Sequence, residues 1–230
     1  MRACKVFVVF PSANPIRATE TTMKWRQMGY QVGVYFDTGT VADTGAYREW
    51  RGPYEGYWAT CNWMAHMLVN GQEQAQVVIF AADDIEPDSK HTCAEIADAY
   101  LGKYPNLYGI LQPTGDKQGV DKTGTQASAR ICGSPWIGAN WVKRAYGGNG
   151  AAWPGYASFY GDEEIWHVAK REGVLWLAPE YKQHHAHWSF GWSQQQFYQR
   201  RNSERYWLTD KALFEKRLAE GFPGSEPLSE

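Results

Sequence analysis

Three short runs of apolar, largely β-branched and aromatic residues constrain the fold more than any other feature. KVFVVF at 5–10, QVGVYF at 31–36 and VVIF at 77–80 carry almost no polar side chains, as strands buried on both faces do, which predicts a parallel sheet covered by helices. Between the first two runs, residues 19–28 are good helix formers that stop at Gly29, a natural C-cap. Between the second and third, residues 55–69 place Trp58, Cys61, Ala65 and Leu68 on one stripe at spacings of three and four. This β-α-β order with right-handed crossovers predicts a single α/β domain with a Rossmann-like central sheet flanked by helices.

The rest of the chain extends that pattern. Residues 40–55, rich in Gly, Thr and charge, read as an exposed connection. Cys93, Ile96, Ala97, Tyr100 and Leu101 give a helical face, and 107–111 gives another strand. Residues 112–129 turn polar and read as a loop beside the site, with Lys117, Lys122 and Arg130 as candidate diphosphate contacts. A helix at 162–171 opens with three acids at its positive end, and a last strand at 174–178 leads into a His-rich segment at 184–187. A short helix at about 210–220 precedes a Gly/Pro/Glu tail at 223–230, expected to be flexible. The domain is expected to span 1–222, with halves at about 1–112 and 113–222.

Composition narrows the partners. A net charge of −2 advertises no polyanionic partner, and 230 residues suffice for a core without disulfides. The four cysteines have no zinc-like spacing and read as reduced thiols. No run approaches the roughly 20 apolar residues of a membrane span. The expectation is a soluble, cytoplasmic protein with no membrane contact and no obligate protein partner. The surplus is aromatic: 12 Trp and 14 Tyr exceed what a core needs, and such rings stack on sugars and nucleobases.

Ligands of open parallel sheets bind outside the carboxyl ends of the strands. The first such end here carries Pro11, Ser12, Asn14 and Arg17, the second Asp37, and the third Asp83 and Asp84. Two adjacent carboxylates at a fixed strand end suit a hard divalent cation, Mg²⁺ or Mn²⁺, that also takes diphosphate oxygens. Taken alone, such a pair is more often a polar turn with an Asp cap before the next helix.

In order and spacing these segments resemble the GT-A glycosyltransferases of the family 2 type. KVFVVFPSANPIRATET is similar to their first strand and base-binding loop, VYFDTG to the second strand with its nucleoside-contacting Asp, VVIFAADDIEPD to their DXD region, and FYGDEEIWHVAKREG to the acidic motif that opens the acceptor-side helix. The resemblance implies a mixed, mostly parallel sheet and transfer of a sugar from a nucleotide-diphosphate donor, UDP foremost, to a hydroxyl. It implies that Pro11 and Ser12 line the nucleoside, that Asn14, Arg17 and Asp37 read it, that Asp83 contacts the donor, and that Asp84 holds the metal. It makes Asp162 the general base, with Glu163 as alternate, and it lets a late histidine complete the coordination: His187 first, His185 second. The pattern departs at Ala81, where the common form has Asp, which puts ribose contact from this segment in doubt.

The segment FYQRRNSERYW at 197–207 interleaves arginines with rings. Such a stretch can hold nucleic acid by phosphate contact and stacking, or pack its rings as an amphipathic helix. Trp136, Arg200, Arg201 and Arg205 are the acceptor candidates. Small phage-type enzymes that glycosylate hydroxymethylated pyrimidines in DNA share this compact form. A glycan, lipid-linked sugar or protein hydroxyl is the rival acceptor, and a non-catalytic nucleotide- or carbohydrate-binding module is the rival class.

Overall fold

The computed structural model describes residues 4–37, 39, 42–114, 130–186, 188 and 196–229, the side chains of 197 and 198 excepted. Its axis is β1 (Val6–Ser12), paired in parallel with β2 (Gln31–Asp37) on one side and β4 (Val77–Phe80) on the other. β3 (Arg48–Gly52) adds in parallel beyond β2. On the far side, β7 (Trp136–Gly138) runs antiparallel to both β4 and β6 (Ile110–Pro113), and β8 (Leu175–Ala178) pairs in parallel with β6. The result is a seven-stranded sheet in the order β3-β2-β1-β4-β7-β6-β8, mixed but mostly parallel.

Alternation along β1 divides the core. Phe7 and Val9 join the cluster of α2 (Tyr57–Asn70), α4 (Ala139–Arg144) and α5 (Gly161–Arg171), whereas Val6, Val8 and Phe10 face α1 (Pro15–Gln27) and α3 (Cys93–Lys103). The sheet is therefore covered on both faces, which is why its inner strands read as unbroken apolar runs. Gly33 interrupts one run for a steric reason: a Cβ there would lie 2.7 Å from the Trp50 ring of β3.

Several boundaries differ from the sequence expectation. α1 starts at Pro15 because the Asn14 side chain accepts from the N–H groups of Ile16 and Arg17, and proline fits the first helical turn. The connection at 40–55 contains β3, whose REWRG sequence has no apolar run because an edge strand of mixed exposure needs none. The strand expected at 107–111 is β6, shifted to Ile110–Pro113. The short helix expected near 210–220 is the end of α6 (Phe197–Ala219), 23 residues long. The 223–230 tail is not frayed as far as it is described. Leu228 N donates to Arg144 O at 2.8 Å, Gly147 N donates to Glu226 O at 2.9 Å, and Ser225 is buried. Most of the polar loop, 115–129 with Lys117 and Lys122, lies outside the described residues.

Trp136 requires a correction. It sits on β7, in the interior of the sheet, with 0% of its surface exposed, and its Nε1 donates to Gln183 Oε1 at 2.7 Å. Its ring is a core element and cannot meet an acceptor.

Candidate functional site

Beyond β4 the chain turns through Ala81 and Ala82 into Asp83 and Asp84, and both carboxylates are held from several directions. Ser12 Oγ, at the end of β1, donates to Asp83 Oδ2 at 2.7 Å, and Thr21 Oγ1 of α1 donates to Asp83 O at 2.8 Å. Arg17 Nη2 lies 3.6 Å from Asp83 Oδ1 and 3.7 Å from Asp84 Oδ2. Those separations exceed a hydrogen bond, so the guanidinium acts as a shared counter-charge for the pair. Ala81 is fully buried and its carbonyl accepts from the Tyr57 hydroxyl at 2.9 Å, so a carboxylate at this position would lie in the core.

The two-stranded ribbon of β5 (Ile85–Glu86) and β9 (His184–His185) brings a distant segment to these acids. Ile85 pairs opposite His185, and Ala186 N donates to Asp84 O at 2.9 Å. His185 Nε2 consequently lies 3.3 Å from Asp84 Oδ1. Asp88 fastens the approach: its carboxylate accepts from Lys182 N at 2.7 Å, from Lys90 N at 2.6 Å, and from both the backbone and the ring of His91 at 3.0 Å. Burial pushes the Asp88 carboxyl up, but these hydrogen bonds outweigh it and hold the group below the usual carboxylate range. His187, the first of the two histidine candidates, lies outside the described residues.

The three acids that open α5 separate by role. Glu164 points into the core, where Arg217 Nε and Nη2 donate to its two oxygens at 2.8 and 2.7 Å and the Tyr156 hydroxyl donates at 2.7 Å. Asp162 and Glu163 line the cleft instead. Burial raises the Asp162 carboxyl above its ordinary value, against the backbone amides of Glu163 and Asp162 and the charge of His185, which pull it down. Burial and the neighbouring Asp162 raise Glu163 to about 7, with Arg130 opposing. A carboxylate with that affinity for protons is a competent base near neutrality.

These groups border one cleft of about 1510 Å³ at the carboxyl ends of β1, β2 and β4. Pro11, Ser12, Asn14, Asp37, Asp83 and Asp84 all line it. Asn14 Oδ1 is engaged as the α1 cap, so its carboxamide nitrogen is the end that can meet a ligand. Arg17, with its Nη2 near both carboxylates, supports the acid pair. α6 lines the cleft as well. Arg201 and Arg205 line the cleft, whereas Arg200 is an exposed residue engaged with Glu204 at 2.9 Å. The sequence gives no sign of Gln199, whose Nε2 donates to Asp84 Oδ2 at 3.1 Å and whose Oε1 accepts from Gln196 N at 2.9 Å.

No protein family matches the sequence, and no curated protein does. Among solved structures, the chain is similar to a mutant Drosophila β-1,4-galactosyltransferase 7 crystallised with manganese, UDP-Gal and xylobiose. The identity is 11% and the TM-score 0.45, over 88% of this chain and 79% of that one. At that level the likeness assigns neither fold nor function.

The donor set fits a divalent cation of limited demand. Asp84 and His185 offer one carboxylate and one imidazole, and among the described residues no group of three or more His, Cys, Asp or Glu side chains converges on a metal. Beyond these described side chains, a cation held there can take ligands from water or from a bound diphosphate, as Mn²⁺ and Mg²⁺ do; the imidazole favours Mn²⁺. Among the described residues no helix is long and apolar enough to cross a membrane.

Proposed function

We propose that the chain is a GT-A-type glycosyltransferase that moves a sugar from a nucleotide-diphosphate donor, UDP foremost, to a hydroxyl acceptor. The observation that carries this reading is the contact between Asp84 and His185 in a cleft that Asp162 and Glu163 also line. Asp37 at the end of β2 and the turn after β1 are placed to take the nucleoside, as strand ends do in this architecture. When bound, the cation supplies positive charge to the diphosphate oxygens.

In an inverting course, the acceptor oxygen forms a bond to the anomeric carbon while the bond from that carbon to the phosphate oxygen breaks. The electron pair leaves with the nucleoside diphosphate, and the hydroxyl proton passes to the carboxylate of Asp162 or Glu163. Glu163 suits the task because burial beside Asp162 gives it the higher proton affinity needed at neutral pH. Ser12 and Arg17 hold the acid pair in place.

The hydroxymethylated-pyrimidine acceptor draws on the compact form, the lack of a membrane-spanning run, the aromatic surplus and the C-terminal arginines, with Trp136, Arg200, Arg201 and Arg205 as its contacts. Trp136 is core, and Arg200 is engaged with Glu204, which leaves Arg201 and Arg205 on the cleft wall. With a net charge of −2 this supports a glycan acceptor over DNA. Ala81 favours the rival reading, a non-catalytic binding module, since the segment lacks the first acid of the common motif. The test is nucleotide release from a panel of UDP- and GDP-sugars with and without Mn²⁺, with products weighed by mass spectrometry in the presence of glycosides, hydroxymethylated DNA and unmodified DNA. Mn²⁺-dependent release supports the enzyme; no turnover or hydrolysis with any donor contradicts it.

A further inference from the structure

The cleft contains a large aromatic ring that the reaction as derived above does not use. Trp207 of α6 lines it with 44% of its surface exposed. Its ring is not loose. Phe159 meets it edge-on at 5.1 Å and 78°, and Tyr160 tilts against it at 5.2 Å and 44°. Tyr160 is in turn stacked on the buried Phe214 at 5.2 Å and 24°, so the assembly is rooted in the core.

The backbone beneath the rings is also fixed. Asp210, one turn along α6 from Trp207, is buried, and its carboxylate accepts from the N–H groups of Ala157, Ser158 and Phe159 at 3.1, 2.8 and 2.9 Å. That clamp ties the loop before α5 to α6 and keeps Phe159, Tyr160 and Trp207 in one arrangement. The neighbouring ring, Tyr206, is covered by the Arg205 guanidinium at 5.0 Å. Trp207 is thus a preorganised, exposed indole in the cleft that Asp162 and Glu163, shortly after Phe159 and Tyr160 in the chain, also line. A rigid indole beside polar groups of both signs, Arg205 and Glu204, suits the apolar C–H face of a pyranose with its hydroxyl rim turned to those groups.

We propose that Trp207, supported by Phe159, Tyr160 and Asp210, is the shelf on which an acceptor pyranose packs, and that the acceptor is accordingly a carbohydrate. The inference rests on the transferase reading for the word acceptor, but the shelf can be tested without turnover. The full chain is titrated with a panel of methyl hexopyranosides and their β-linked disaccharides by saturation-transfer NMR, alongside a single-stranded oligonucleotide containing hydroxymethylcytosine. The variants are Trp207→Ala and Trp207→Phe, and nucleotide release from UDP-sugars with Mn²⁺ is followed in parallel. Transfer to the ring C–H protons of at least one glycoside is expected. It should be about tenfold weaker in Trp207→Ala and partly restored in Trp207→Phe. Glycoside binding that ignores Trp207→Ala overturns the shelf, as does Trp207-dependent binding of the oligonucleotide alone. Nucleotide release without any glycoside binding overturns the shelf and leaves the transferase reading standing. Trp207-dependent glycoside binding without nucleotide release supports the shelf and contradicts the transferase.

Discussion

His185 Nε2 lies 3.3 Å from Asp84 Oδ1, although the two residues are far apart in the chain. The contact exists because β5 and β9 pair Ile85 with His185, and because the Asp88 carboxylate holds the backbone of Lys182 at 2.7 Å. The same imidazole bears electrostatically on Asp162, so one side chain connects the strand-end acids to the head of α5. On the proposed transferase reading, donor and acceptor chemistry are organised around one short ribbon.

The acids at α5 predict a pH profile. Glu163 must be ionised to accept a proton, and its carboxyl is raised to about 7, so turnover should rise with pH through about that value. Asp162→Asn removes a neighbouring charge that raises Glu163, and the ascending limb should move to lower pH. A limb that stays in place in Asp162→Asn, measured on kcat/KM, would take Glu163 out of the base role.

The same shift has a sign for stability. Because the folded state holds the Glu163 proton more tightly than the ordinary value of 4.5, its contribution is fully present below that value and is lost as pH rises through about 7. Glu163→Gln should therefore match wild type in acid and exceed it in chemical denaturation above neutrality. Equal stability at both ends would contradict the burial of this carboxyl.

Glu164 behaves differently from its two neighbours. Arg217→Met leaves a carboxylate in the core with only the Tyr156 hydroxyl of its present side-chain partners, a loss of about 3–5 kcal/mol. Thermal unfolding should drop by about 6–20 °C for a chain of this size. An unchanged midpoint would mean that the pair is not desolvated.

Gln199 joins the first turn of α6 to Asp84. Gln199→Glu places a third carboxylate beside Asp83 and Asp84. Without divalent cation the variant should melt below wild type, and Mn²⁺ should raise its midpoint by more than it raises that of wild type. An equal Mn²⁺ response in the two proteins would place the cation away from Gln199.

Much of this architecture is legible in the chain. VVIF and KVFVVF announced central strands because a strand covered on both faces has no room for polar side chains. The stripe of Trp58, Cys61, Ala65 and Leu68 is buried as its spacing requires. β3 escaped because an edge strand needs no apolar run, and Trp136 misled because a surplus of aromatics does not say which ring faces out. The acid pair was readable from its place at a strand end. Of its partners the resemblance implies His185 alone; Ser12, Arg17 and Gln199 reach it through tertiary pairing that no local pattern encodes, and Gln199 lies 115 residues from Asp84. Asp162, Glu163 and Glu164 look alike as a run of acids; only the position of Arg217 separates the core member from the two in the cleft.

The most direct test of the central claim is calorimetric titration of a UDP-sugar into wild type and Asp84→Asn, each with and without Mn²⁺. The account predicts Mn²⁺-dependent donor binding in wild type, its loss in Asp84→Asn, and an unchanged far-UV spectrum in the variant. Donor affinity in Mn²⁺ that is the same in both proteins would contradict a cation site at Asp84.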